Sequence, residues 1–204
     1  MIGVITGDLI KSRQVEDHGI WQEGLKFLFA SMAPGPRFWD IYRGDSFQIE
    51  LANAADSFTL VMRIKAMLRS QKELDTRVAI GIGDKSFAAG SISQSNGSAF
   101  IHSGELLESL KAQKQSLAIR SPWREWDDEM NTYLKMALVI MDQWKPKTAE
   151  LVSVVLQHPQ KSQQEIADLL QIQQAGVSQG LKRAHLKELL DWDDIFRKKL
   201  KNFD

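Results

Sequence analysis

The sequence contains no cysteine among its 204 residues. This absence excludes a disulfide framework, a thiolate nucleophile and any zinc or iron–sulfur site that is built on cysteine ligands. It also fits a reducing compartment, and we expect a cytoplasmic protein.

Long apolar runs are absent from the sequence as well. The N-terminal apolar stretch, Ile2 to Ile5, is followed by Gly7 and Asp8, so it is too short for the apolar region of a signal peptide. Nowhere do about 20 apolar residues follow one another, which is the length that a membrane-spanning helix needs. We therefore expect neither export through a signal peptide nor a membrane span.

An excess of charge of one sign is also lacking, because 26 Lys and Arg residues balance 26 Asp and Glu residues. The overall charge therefore indicates neither a nucleic acid nor a membrane surface as a partner. A chain of this length can form one large core, or a medium domain and a small one.

Strand-like and helix-like patterns alternate over residues 1–121. Short apolar runs next to glycine predict strands, and apolar residues at helical spacing predict helices. The predicted order is strand, helix, hairpin, helix, strand, helix and strand, at about residues 1–6, 17–32, 38–51, 54–68, 76–83, 98–110 and 116–121. This order predicts an α+β fold in which residues 1–121 form a ferredoxin-like βαββαβ domain.

The strand signals end near residue 121, and residues 122–204 are predicted to form a second, all-α domain. Its strongest signal is a helix-turn-helix at about residues 162–188. Ser162 and Glu165 form the Ser-x-x-Glu pattern of a capping box. Apolar residues that we expect to face the core follow at helical spacing: Ile166, Leu169, Leu170, Ile172, Val177 and Leu181.

The exposed side chains of the second of these helices are candidates for DNA binding. Glutamine can pair bidentately with adenine, and serine and basic side chains can contact bases or phosphates. The predicted set is Gln173, Gln174, Ser178, Gln179, Lys182 and Arg183, with a phosphate-contacting tail of Arg197, Lys198, Lys199 and Lys201. The alternative is a helix pair that serves only packing or dimerisation.

The N-terminal domain carries two Gly-Asp pairs, each preceded by an apolar run, at Asp8 and Asp45. We expect both aspartates at strand ends, where they converge at one edge of the sheet. Two carboxylates next to a glycine loop suit Mg²⁺ or Mn²⁺ together with substrate phosphates. The alternative is that both pairs are ordinary turn or cap residues.

Groups that could hold a phosphate lie beside these aspartates. Gly7 and Gly44 leave the backbone accessible, and backbone N–H groups from Leu9 to Ser12 could cradle an anion with help from basic side chains. The predicted nucleotide-binding set is Gly7, Leu9, Lys11, Ser12, Arg13 and Gly44.

Several of these motifs resemble those of a known family. The segments GDLIKSR, GDSFQ and SNGSAFIHSGELL are similar to the SatD family of bacteria. The order of the two aspartates also resembles the palm-like catalytic domain of class III nucleotide cyclases and GGDEF-type enzymes, where such aspartates hold metal ions on a nucleoside triphosphate. The helix-turn-helix is similar to winged and sigma region-4 types.

Three functional hypotheses follow. The first is a DNA-binding transcriptional regulator, expected as a homodimer, whose N-terminal domain senses a nucleotide, a metal or another phosphate-containing small molecule. The second is a Mg²⁺-dependent nucleotidyl cyclase or transferase that uses Asp8 and Asp45. The third is a scaffold that has lost its metal site.

Overall fold

The computed structural model describes residues 1–10, 18–33, 35, 37–71 and 74–203, which form five strands and eight α-helices of a mixed α and β structure. The strands are β1 (Ile2–Ile10), β2 (Trp39–Tyr42), β3 (Ser46–Leu51), β4 (Asp75–Gly83) and β5 (Leu117–Arg120). The helices are α1 (His18–Met32), α2 (Ser57–Ser70), α3 (Ser98–Gln113), α4 (Arg124–Met141), α5 (Pro146–Gln157), α6 (Gln163–Leu170), α7 (Gln174–Ala184) and α8 (Leu186–Leu200).

The five strands form one sheet in the order β2-β3-β1-β4-β5. The long central strand β1 pairs antiparallel with both β3 and β4, while β5 joins the edge parallel to β4. Because β1 is paired on both sides over nearly its whole length, it is an interior strand of the sheet. Asp8 on β1 lies opposite Ser46 of β3 and Arg77 of β4.

One face of the sheet packs against α1 and α2 and forms the main core. Side chains of a strand alternate between the two faces, so the odd-numbered residues of β1 point toward these helices. Gly7 lies on this face, and a Cβ atom there would collide with the ring of Phe47. The buried side chains of this core include Ile5, Leu9, Trp21, Leu25, Phe29, Phe47, Ile49, Leu60, Ile64 and Ile80.

The other face of the sheet is partly covered by α3, which lies against β4 and β1. Two glycines of β4 allow this close approach. A Cβ atom at Gly81 would collide with the backbone of Ala99, and one at Gly83 would collide with Ser98. The glycines in the sequence TRVAIGIG therefore bring a helix backbone onto the strand rather than only ending the strand.

Helix α2 is covered on both sides, since the sheet lies on one side and α4, α5 and α8 lie on the other. Accordingly, the main core continues from the sheet into Trp126, Met130 and Leu134 of α4 and Phe196 of α8. The predicted domain boundary at residues 121 and 122 falls between β5 and α4, and the apolar core extends across it.

Buried charges accompany this apolar contact. The side chain of Lys65 on α2 is 1% exposed. Its ammonium group lies 2.9 Å from a carboxylate oxygen of Asp75 and 2.8 Å from one of Asp142. Arg69, one turn later, donates to Asp75 and to the backbone oxygen of Trp144. Charged groups removed from water need such partners, so these contacts fix α2 against the α4–α5 connection.

A second set of polar contacts joins α8 to the start of α2. The guanidinium of Arg197 lies 2.7 Å from Asp56 and 2.8 Å from Asp193, and it also donates to the hydroxyl of Thr59. Lys199 lies 2.8 Å from Glu129 of α4. Arg197 and Lys199 of the predicted phosphate-contacting tail are thus paired with carboxylates of the protein itself.

In the described parts of the chain, every helix is either too short or too polar to cross a membrane.

The close contact between β4 and α3 can be tested with a pair of glycine variants. Gly81→Ala should lower the free energy of unfolding by about 1–3 kcal/mol, because the new methyl group meets backbone atoms that cannot rotate away. Gly104→Ala, in the same helix–strand unit but with open space around its Cβ position, should raise it by about 0.5–1 kcal/mol. Urea denaturation measures both changes. Equal effects of the two substitutions would contradict the described packing.

Candidate functional site

Asp8 lies inside β1 and not at its end, because the strand continues through Leu9 to Ile10. The expectation that the strand stops at Gly7 is wrong, since that glycine makes room for Phe47 within a continuous strand. As an even-numbered residue of β1, Asp8 points to the face that carries α3. Its side chain is 12% exposed.

Two basic side chains surround the Asp8 carboxylate. Nη1 of Arg77 lies 3.1 Å from both carboxylate oxygens, and Nζ of Lys111 on α3 lies 3.6 Å from one of them. Burial raises the pKa of Asp8 and outweighs the lowering by Arg77 and Lys111, while the nearby charge of Asp45 raises it further. The two basic neighbours therefore replace only part of the solvation that the carboxylate loses on burial.

Asp45 lies in the turn between β2 and β3, beside Asp8. Both Arg43 and Gly44 have positive φ angles, 53° and 79°, and no atom lies within 4 Å of the Cβ position of Gly44. The glycine therefore serves the hairpin turn, as the sequence predicts. The backbone oxygen of Asp45 accepts a hydrogen bond of 2.9 Å from the N–H of Leu9, which ties the turn to β1.

The predicted phosphate-binding residues have different positions. Gly7 is part of the paired strand, and the N–H of Leu9 is bonded to Asp45, so that amide does not serve an anion. Gly44 is exposed at the turn. Lys11, Ser12 and Arg13 lie outside the described residues. The basic groups that the structure brings to Asp8 are instead Arg77 and Lys111.

A strip of polar side chains continues from Asp8 along the same face of the sheet. Gln48 of β3 donates to Thr6 of β1, and Thr6 donates to Ser103 of α3. Further along, the carboxylate of Glu50 accepts a hydrogen bond of 2.6 Å from Lys85. This strip is not among the predicted site residues, although the alternation Ser46, Gln48 and Glu50 indicates a strand with a polar face.

A metal ion near Asp8 and Asp45 would need ligands in addition to the described side chains. Within residues 1–10, 18–33, 35, 37–71 and 74–203, no group of three or more His, Asp or Glu residues is placed to hold a metal ion. A metal ion at Asp8 and Asp45 would therefore complete its ligand set with oxygens from water or from a bound ligand, as Mg²⁺ commonly does.

The second candidate region is formed by α6, the three-residue turn at 171–173, and α7. The predicted capping box is present: the N–H of Glu165 donates to the Ser162 hydroxyl, and the N–H of Ser162 donates to the Glu165 carboxylate. The N–H and the hydroxyl of Ser162 both donate to the Glu165 carboxylate, and these two hydrogen bonds lower the pKa of Glu165. Gln171 ends α6 in the left-handed conformation, with a φ angle of 53°, where helices commonly carry glycine.

Helices α5, α6 and α7 share a small apolar core. Ile166, Ala167 and Val177 are buried there against Leu151 of α5. Gly180 is also buried, and a Cβ atom at this position would collide with the Leu151 side chain, so the glycine allows α7 to cross close to α5.

Two apolar residues that were expected in this core lie at the surface. The exposed fractions are 51% for Leu169 and 47% for Ile172. These two predictions are wrong, because Leu169 lies on the outer side of α6 and Ile172 lines an open groove between the turn and α5.

The predicted DNA-binding set lies mainly at the surface of α7. Gln173, Gln174, Gln179, Lys182 and Arg183 are exposed, while Ser178 is half-buried. The Gln174 side chain donates to that of Gln163 at the start of α6. This surface is polar and is not used for internal packing.

The end of α7 is attached to the body of the protein. His185 adopts a left-handed conformation, with a φ angle of 50°, and α8 begins at the next residue. The indole Nε1 of Trp144 donates a buried hydrogen bond of 3.0 Å to the backbone oxygen of Ala184. The helix end is thus held by the connection between α4 and α5.

The turn between α6 and α7 can be tested through Gln171. Gln171→Gly should raise the free energy of unfolding by about 0.5–1 kcal/mol, because glycine adopts the left-handed conformation without a steric penalty. Gln179→Gly, at an exposed position inside α7, should lower it by about 1 kcal/mol. Thermal and urea denaturation measure both. A loss of stability in Gln171→Gly would contradict the left-handed turn.

Neither a curated protein nor a solved structure matches the chain. A model of the SatD family matches residues 2–195, a span that runs from β1 into α8 and therefore includes α6 and α7. Because this match covers nearly the whole chain, the protein belongs to the SatD family.

Proposed function

We propose that this protein is a DNA-binding regulator in which α7 enters the major groove and the polar face of the sheet binds a phosphate-containing ligand. The observation that carries the proposal is the position of α7. Helix α7 packs with α5 and α6 around a small apolar core. Five of the six predicted DNA-contacting residues, which lie in α7 or directly before it, are nevertheless exposed.

The chemistry of the α7 surface supports binding to DNA. Gln174 and Gln179 offer amide groups that match the edge of adenine, and Lys182 and Arg183 offer charges for phosphates. The side chains of Lys182 and Arg183 form no ion pair within the described residues, in contrast to Arg197 and Lys199. Their charges are therefore free to replace counterions on a duplex.

The first test measures binding of the full chain to duplex DNA as a function of salt concentration. Replacing both Lys182 and Arg183 by Ala should lower the salt dependence, the slope of log K against log salt, by about 2. Lys135→Ala, an exposed position on α4, is the matched control and should lower it by less than about 0.5.

Sequence preference is tested with duplexes selected from a random pool. Gln179→Ala should relax the preference at one base pair by about 1–3 kcal/mol and leave phosphate contacts unchanged. The salt dependence decides whether α7 is involved. If the slope of log K against log salt is the same in the Lys182 and Arg183 double variant as in Lys135→Ala, α7 is not the DNA-binding helix.

The ligand site in the proposal is the region of Asp8 and Asp45. The strand order β2-β3-β1-β4, with β1 antiparallel to both neighbours, agrees with a ferredoxin-like layout and supports the comparison with palm-like domains. We place Mg²⁺ or Mn²⁺ on the two carboxylates and the phosphates of a nucleotide next to Arg77 and Lys111. The metal would take over the neutralisation of Asp8, and the two cations would turn to the phosphates.

The alternative function is an enzyme that uses the same aspartates for nucleotidyl transfer or cyclisation. It is favoured by the closeness of Asp8 and Asp45, since Asp8 lies opposite Ser46, the residue next to Asp45. Two carboxylates at one place are what metal-assisted phosphoryl chemistry needs.

Both functions of this site are tested by titrating the full chain with each nucleoside triphosphate, with and without Mg²⁺ or Mn²⁺. We expect binding that requires the metal and that falls at least about tenfold in Asp8→Asn and Asp45→Asn. Asp84→Asn, an exposed carboxylate after β4, is the control and should bind as the native chain does. Calorimetry measures binding, and chromatography of the mixture detects products.

The outcomes separate the two functions. Metal-dependent binding without a product supports a sensor, whereas a product makes the protein an enzyme. If binding is lost equally in the control, or never needs the metal, then Asp8 and Asp45 are not metal ligands.

A further inference from the structure

A groove between α4 and α8 lies outside both regions described above. Its volume is about 370 Å³, and it is lined mainly by the apolar side chains of Tyr133, Met136, Ile140, Leu189, Trp192 and Ile195. Met136 is 62% exposed and Ile195 is 45% exposed, although both are large and apolar. Adjacent exposed apolar residues of this kind mark a binding surface more often than a free surface.

Two aromatic rings form one wall of the groove. The rings of Tyr133 and Trp192 lie with their centroids 4.6 Å apart and their planes inclined by 33°. Trp192 is fixed from behind by edge contacts to Phe58 and Phe196. This wall is therefore pre-formed, and the face of an aromatic ring attracts cations as well as apolar groups.

Carboxylates lie at the α8 side of the groove. Asp191 is paired with Lys187 at 2.7 Å. Glu188 has only His185 within ion-pair distance among the described residues, at 3.9 Å, and that contact carries charge only if the imidazole is protonated. Glu188 therefore adds to an apolar and aromatic groove a carboxylate that has no lysine or arginine of the described residues within ion-pair distance. The neighbouring Lys187 is bonded to Asp191 and acts on Glu188 only at longer range.

From this combination we infer that the groove binds a lipophilic organic cation. The apolar body of such a ligand would cover Met136 and Ile195, and its positive charge would lie between the aromatic wall and Glu188. A lipophilic anion of the same size would meet the carboxylate and the negative ring faces, so the groove should discriminate by the sign of the charge. This site does not depend on whether α7 binds DNA or Asp8 binds a metal.

The size of the groove favours a small molecule over a second protein chain. Pockets for small ligands typically measure about 300–1,000 Å³, and the groove lies at the lower end of this range. Nine residues line it, whereas each side of a stable protein interface usually has about 20–30.

The test uses two probes of the same shape and opposite charge, tetraphenylphosphonium and tetraphenylborate. Isothermal calorimetry with the full chain should give binding of the phosphonium at least about tenfold tighter than binding of the borate. A change of tryptophan fluorescence should accompany it, because Trp192 lines the groove.

Variants locate the binding. Glu188→Gln should weaken the phosphonium by about threefold to fivefold and reduce the preference over the borate, since it removes the charge at an exposed position. Tyr133→Leu should weaken the phosphonium by about the same factor, through loss of the aromatic face. Asp194→Asn, an exposed carboxylate on another side of α8, is the matched control and should leave both affinities unchanged.

Three results would overturn the inference. The first is absence of phosphonium binding, and the second is equal binding of the two probes. The third is a chain that sediments as a dimer and becomes a monomer in Met136→Lys, because the groove would then be an interface between two copies of the chain.

Discussion

The arrangement of this protein depends on one buried charge, the ammonium group of Lys65. It lies on a helix that is covered by the sheet on one side and by three helices on the other, where an unpaired charge would cost several kcal/mol. Its two partners come from different parts of the chain: Asp75 begins β4, and Asp142 follows α4. The ion triad therefore joins the start of β4 to the segment after α4 through one buried ammonium group, alongside the apolar core that spans the same contact.

The two faces of the sheet differ in the side chains that they carry. The face toward α2 is filled by aliphatic and aromatic side chains, and Gly7 of β1 makes room there for Phe47. The opposite face is incompletely covered by α3 and keeps polar groups from Asp8 to Glu50. Burial raises the pKa of Asp8 in spite of two basic neighbours, so ionisation of this carboxylate is less favourable in the folded chain than in water.

Much of the fold could be predicted from local patterns, whereas the contacts of the site could not. The order of strands and helices and the capping box at Ser162 follow from spacing and from short-range hydrogen bonds. Local patterns predict the end of β1 too early because glycine usually interrupts strands, yet here Gly7 is required by the distant Phe47. Arg77, Lys111 and Lys85 meet their carboxylates only through the tertiary fold. The contact of Arg197 with Asp56 is likewise tertiary, whereas its pairing with Asp193, four residues earlier, is of a local kind that the sequence shows.

The hydrogen bond from Trp144 to Ala184 connects these parts in a further way. Arg69 of α2 donates to the backbone oxygen of the same Trp144, whose indole in turn holds the last residue of α7. The connection between α4 and α5 thus joins the central helix to the exposed helix through two hydrogen bonds that both involve Trp144. Residue 144 is therefore a single point at which α2 and the end of α7 are attached to the same short segment.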